Sequence, residues 1–248
     1  MTILRLSCEY KTDKFPIAYQ MMIVSLIKEA LNKTDKEYFL KLYTYENGKA
    51  NKKTKNFCFS VFLKDFKKEG EVFTINDKVI INISSPDYEF MIKLYNGLLK
   101  IKTFEYKEEF SINKVRINLQ KEKEINSSTI LFNTLSPICI KNKNNEMLEI
   151  DHEDYEKELN YIANKTLESF RGYGLKENLK FKAVNMKKRV VKEQIRNFKE
   201  KTGKPFYYVN SYVGVFQLQG DVNDIKDIYS LGLGFKRSQG FGMIEVVG

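Results

Sequence analysis

The chemistry-bearing residues of this chain crowd one short stretch near its C-terminal end, Gly232-Leu233-Gly234-Phe235-Lys236-Arg237-Ser238-Gln239-Gly240-Phe241-Gly242. Glycines let main-chain N–H groups come close to a phosphate, and adjacent cations reinforce the attraction. Gly232, Gly234, Lys236, Arg237, Ser238, Gly240 and Gly242 are therefore candidate phosphate-binding residues. The same composition also suits a tight turn before an edge strand. Two common nucleotide loops are excluded. The dinucleotide fingerprint needs a third glycine where Arg237 stands, and no GxxxxGK[ST] run occurs. Both also need a following helix, whereas only a strand is predicted after Gly242.

A second basic run, Lys187, Lys188, Arg189 and Lys192, followed by Arg196, falls on or after a predicted long strand. It suits contact with a nucleic-acid backbone, or equally a solvated edge guarded by lysines. The single histidine, His152, precedes a predicted helix and reads as a solvated residue at a helix start rather than a catalytic base. Cys8, Cys58 and Cys139 are too few and too scattered for a disulfide framework or a zinc site, so buried reduced thiols in a cytoplasmic protein are expected. No metal or cofactor is expected.

The elements that hold these residues can be read from periodicity. The 248 residues, 42% apolar and 30% charged, have mass enough for two small domains. The net charge of +10 favours a polyanionic partner. The N-terminus has no signal-peptide core, and Phe15 to Ile27 is too short to span a bilayer, so no membrane role is expected. Strands are predicted at 3–8, 56–63, 71–84 (one or two strands, broken near Asn76-Asp77) and 103–119, the last with alternation at Val115, Ile117 and Leu119. Helices are predicted at 17–32 and from Ser85-Pro86-Asp87 onward, with Ser85 as cap and Pro86 at the first helical position. The order strand, helix, strand, strand, helix, strand is the ferredoxin-like pattern. It recurs as strand 130–140 (interrupted at Ser136-Pro137), helix 153–170, a hairpin of 179–191 and 206–218, helix 221–229 and strand 243–247. The expected fold is α+β, two tandem ferredoxin-like (RRM-like) domains over 1–122 and 126–248, with a charged linker at 120–128.

With those elements in place, the run GLGFKRSQGFGMIEV (232–246) closely resembles the C-terminal signature of the CRISPR repeat-processing endoribonuclease family of the RAMP superfamily. Leu131 to Ile138, LFNTLSPI, resembles that family's TLSP strand. Pro16-Ile17-Ala18-Tyr19-Gln20 resembles the start of its first helix. The resemblance implies binding of CRISPR repeat RNA and one cut per repeat without metal. The upstream 2′-OH would attack the adjacent phosphate in line, leaving a 2′,3′-cyclic phosphate and a 5′-OH. Two alternatives stay open: a non-catalytic RNA-binding member of the family within an effector complex, and a RAMP backbone subunit assembled along guide RNA. Partnership with effector-complex subunits and a homodimer also remain open.

The family's catalytic positions, carried over from Tyr19-Gln20, fall on Lys28 in the first helix, Tyr43 where many members have histidine, and Lys55 before the next strand. A small gap would move the second to Tyr45-Glu46. Tyrosine, with a pKa of about 10, is a poor base unless cations depress it. Lys28, Lys41, Lys49, Lys52, Lys53 and Lys55 are candidates to do so. The expectation is slow cleavage, with Lys28 and Lys55 stabilising charge and Tyr43 orienting the substrate or transferring a proton.

Overall fold

The computed structural model describes residues 4–44, 53–194, 198, 200 and 202–247. The first half runs β1 (Leu4–Lys11), β2 (Lys14–Pro16), α1 (Gln20–Thr34), α2 (Lys36–Tyr43), β3 (Cys58–Glu69), β4 (Val72–Ser84), α3 (Tyr88–Lys100), β5 (Thr103–Tyr106) and β6 (Phe110–Lys121). Strand β1 lies between β4 and β6 and is antiparallel to both, with β3 outside β4. The order β3-β4-β1-β6 is ferredoxin-like, with β2 extending along β4 and β5 closing a hairpin on β6. Helices α1 and α3 bury Met22, Ile23, Leu26, Ile27, Leu94 and Leu98 in a core with Leu6, Phe59, Ile81 and Ile83 of the sheet.

The second half repeats the plan with β7 (Thr129–Thr134), α4 (Tyr155–Arg171), β8 (Lys180–Glu193), β9 (Tyr207–Gln219), α5 (Val222–Leu231) and β10 (Ile244–Val246). Its sheet order is β10-β7-β9-β8. A second core gathers Phe132, Leu159, Leu167, Phe216, Leu218, Ile225 and Ile228. Gly172 ends α4 in the left-handed conformation that favours glycine, φ 86°. All three cysteines are buried and unbridged.

The halves are joined by a buried charge cluster. Arg5 of β1 pairs with Glu122, just past β6, at 3.3 Å and with Glu245 of β10 at 2.5 Å. Ser84 and Ser230 donate to the two oxygens of Glu122, and Tyr229 donates to Glu245. Buried charges persist only where they are paired and hydrogen-bonded in this way.

Several expectations are corrected. Strand β4 is continuous through Asn76-Asp77, because β3 carries the irregularity. Asp65 bulges there at φ 54°, Asn76 donates to Asp65, and Lys64 pairs with Asp77. The helix cap at 85–87 is Asp87, which accepts from the Phe90 N–H. Ser85 instead donates to the Asn56 carbonyl, so Pro86 precedes the helix. The expected strand 103–119 folds back at Lys107 and Glu108, both at positive φ. The alternation at Val115 is broken by a register slip opposite Glu9/Tyr10, and both Val115 and Leu119 are exposed. The expected linker is partly structural, with β6 reaching Lys121 and with Glu122 and Ile125 buried. Among the described residues no helix is long and apolar enough to cross a membrane.

Candidate active site

A cleft of about 500 Å³ opens where α1, the segment 53–55, α4 and the loop 234–239 meet. Its first wall comes from the N-terminal half. On α1, Met21, Val24 and Lys28 follow one another at helical spacing on the face turned to the cleft. Tyr43 closes α2, a helix started by Asp35, whose carboxylate accepts from the Tyr38 N–H. Lys55 lies just ahead of β3, and its amine donates to the Lys53 carbonyl at 2.7 Å.

These three side chains, far apart in sequence, form one group. The Lys28 Nζ stands 4.8 Å from the centre of the Tyr43 ring and the Lys55 Nζ 5.6 Å, so one aromatic ring serves two ammonium groups. Burial dominates their electrostatics. The Tyr43 hydroxyl is buried with no hydrogen-bond partner among the described residues. Its pKa is pushed up, by burial first and by Tyr38 second. Burial thus works against any depression by the nearby lysines, because it disfavours the phenolate. Burial also lowers Lys28, and it lowers Lys55 to about 8, with the charge of Lys28 contributing. Burial thus brings the Lys55 amine closer to neutral pH than an ordinary lysine.

The floor of the cleft is the glycine-rich loop, and there the cations are engaged internally. Arg237, 4% exposed, opens a 3-10 turn over Arg237–Gln239 and donates to the Leu231 carbonyl at 2.5 Å. Its pKa is lowered to about 10 by burial. Lys236 pairs with the buried carboxylate of Glu193 at 2.6 Å and donates to Gln239 at 2.8 Å. Burial in turn holds the Glu193 pKa above the usual carboxylate value despite that pair. Ser238 is half-buried at the rim. The glycines answer to crowding. A Cβ on Gly232 would stand 2.8 Å from the Cys58 Cβ, on Gly234 2.9 Å from the Cys139 carbonyl, and on Gly240 2.9 Å from the Phe59 ring. On Gly242 it would stand 2.0 Å from the Leu233 carbonyl, at a φ of 71°. The Gly242 and Leu233 N–H groups donate to Pro137 and Gly242 carbonyls rather than outward.

The basic hairpin strand β8 is the outer strand of its sheet. Lys188 pairs with Glu149, and Lys192 pairs with Glu71 of the first half at 2.7 Å. Lys187 and Arg189 are exposed and form no ion pair among the described residues. His152 is exposed at the approach to α4, its Nδ1 accepting from the Asp154 N–H, and it does not line the cleft. Tyr45, Glu46, Lys49, Lys52 and Arg196 lie outside the described residues.

Sequence reasoning missed the second wall, formed by Tyr161, Ile162, Lys165 and Thr166 of α4. Tyr161 and Lys165 are one turn apart and flank the apolar stripe from which α4 was recognised, which was the only available signal.

Comparison with known proteins bears on the family and the fold. Residues 120–246 match the family described as CRISPR associated protein Cas6, C-terminal. The chain is 29% identical over 256 aligned positions to the CRISPR-associated endoribonuclease Cas6 1 of Methanocaldococcus jannaschii, covering 97% of this chain and 92% of that protein. It is 28% identical over 258 positions to the CRISPR-associated endoribonuclease Cas6 of Pyrococcus furiosus, covering 99% and 89%. A solved structure described as an RAMP protein binding different RNA substrates shares the fold, with a TM-score of 0.79 at 20% identity over 99% of this chain and all of that one.

Proposed function

The chain belongs to the Cas6 family, and from that premise we propose that it binds CRISPR repeat RNA and cuts the precursor once per repeat, without a metal ion, by attack of a ribose 2′-OH. The observation that carries this reading is the meeting of Lys28, Tyr43 and Lys55 in one cleft against the glycine-rich loop.

In the proposed step the neutral Lys55 amine takes the proton of the 2′-OH, and the 2′-oxygen bonds to the adjacent phosphorus. The bond from phosphorus to the 5′-oxygen breaks, leaving a 2′,3′-cyclic phosphate. The Lys28 ammonium stabilises the charge gathered on the phosphorane and gives a proton to the departing 5′-oxygen. Tyr43, with its hydroxyl held protonated, does not act as base; its ring fixes the two amines relative to each other. A pKa of about 8 on Lys55 suits proton transfer near neutral pH far better than an unperturbed lysine does. Lys187 and Arg189 on the hairpin suit contact with the RNA backbone, which makes affinity fall with salt.

The test is cleavage of repeat RNA in EDTA, beside a substrate carrying a 2′-deoxy sugar upstream of the cut. Cutting of the ribose form alone, with a cyclic phosphate product, is expected. A requirement for divalent metal, or cutting of the deoxy form, overturns the mechanism. Tight binding with no cutting of either substrate instead identifies the chain as a non-catalytic repeat-RNA binder.

A further inference from the structure

Tyr161 is an aromatic side chain with no structural task. It is 54% exposed on α4 and makes no hydrogen bond or ring contact among the described residues. Tyr155, on the same helix, shows the contrast: it is 2% exposed and packs its ring on Phe181. Of the exposed tyrosines Tyr88, Tyr161, Tyr173 and Tyr208, only Tyr161 lines the cleft, on the wall across from Lys28, Tyr43 and Lys55.

Its mounting is rigid. Leu159, Ala163 and Leu167 anchor α4 in the second core. The side chain of Asn160 bonds both the N–H and the carbonyl of Leu179, and that of Asn164 accepts from the Leu175 N–H. One turn along, Lys165 also faces the cleft, and its pair with Glu168 is solvent-exposed and so weak enough to exchange for another anion.

We propose that Tyr161 is a stacking platform for the base of a nucleotide flanking the scissile phosphate, with Lys165 beside it for that nucleotide's phosphate. The inference rests on the reading of the cleft as the cutting site. A single-stranded base offers a flat π-face that an exposed tyrosine on a rigid helix can hold whatever the base's identity, while lysines follow the backbone. Holding the flanking base fixes the torsions around the scissile bond, which in-line attack requires. Tyr161 would thus act as a positioning residue that sets where the RNA enters the cleft.

The experiment places 2-aminopurine, in turn, at the nucleotides either side of the cut and follows its fluorescence on binding. For the wild-type protein, quenching is expected at one of these positions. Tyr161→Ala should abolish that quenching and raise KM about tenfold, while Tyr161→Phe, which keeps the ring, should retain both. Because Tyr161 is exposed, Tyr161→Ala should melt with the wild type, so a loss of quenching is not a loss of fold. Quenching and KM unchanged in Tyr161→Ala, with the wild type still cutting, overturn the stacking role and leave the cleavage reading standing. Quenching lost in Tyr161→Ala from a protein that binds but does not cut supports stacking and removes only the chemistry. A wild type that binds no repeat RNA overturns both.

Discussion

Among the cations that border the cleft, two pairs differ in what surrounds them. In the floor, Lys236 is locked to the buried Glu193, and Arg237 is enclosed with its guanidinium on a main-chain carbonyl. In the wall, Lys28 and Lys55 share the ring of Tyr43, and burial lowers the pKa of both. None of the described residues lining the cleft is acidic. By sequence alone the floor pair is the more conspicuous, being adjacent and set among glycines. Density of charge in the sequence therefore says little about charge on offer to a ligand. Burial against a carboxylate or a carbonyl turns a cation into a structural part, whereas burial beside a like charge turns it into a reactive one.

The contrast can be broken by exchanging the two outcomes. Lys28→Ala/Lys55→Ala should slow cleavage by about 10²–10³-fold or more, with the protein still folded and still binding RNA. A rate within a few-fold of wild type removes these lysines from the chemistry. Lys236→Ala should do the reverse, lowering stability by about 3 kcal/mol by leaving Glu193 buried and unpaired, while the folded fraction cuts normally. Denaturant melts beside single-turnover rates separate the two. An intact fold with abolished cutting would instead make Lys236 a substrate contact.

The pH dependence sharpens the comparison further. If neutral Lys55 is the base, kcat/KM rises with pH and levels off above about 8. A flat profile from pH 6 to 9 contradicts that role. The smallest effect is on stability. The folded Lys55 amine loses its proton near 8 and an unfolded one at about 10.4, so between those values the unfolded chain binds more protons and stability rises with pH. Below that window the cost of burying the ammonium is present in full. Lys55→Met should therefore raise the melting temperature at pH 7 by about 2–4 °C, with the gain shrinking toward pH 10, although cleavage is lost. A lower melting temperature at pH 7 would mean that Lys55 stabilises the fold.

Both sheets were legible because their strands alternate and their helices carry apolar stripes such as Met22, Leu26, Ile27 and Ala30. Helix α2 was not read. It has eight residues, none fully buried, and its only strong signal is the cap Asp35. It is nonetheless the element that delivers Tyr43, whose position came from family resemblance rather than periodicity. The fate of the loop cations was illegible for another reason: the partner of Lys236 stands 43 residues upstream, and β8 brings it back. A pKa set by burial is likewise a property of packing, so Tyr43 and Lys55 moved in directions that their local sequence does not encode.

The crowding around the four loop glycines bears on how such a protein can change. At each of them even a single methyl group would meet a neighbouring atom at 2.9 Å or less, so the glycines that shape the cleft floor are closed to drift. The walls carry no such crowded glycine at Thr54, Tyr161 or Lys165, exposed or half-exposed residues that line the cleft. A lineage following a changing RNA partner would thus keep its floor and rewrite its walls, and the record of past partners would lie in α4 and the segment before β3.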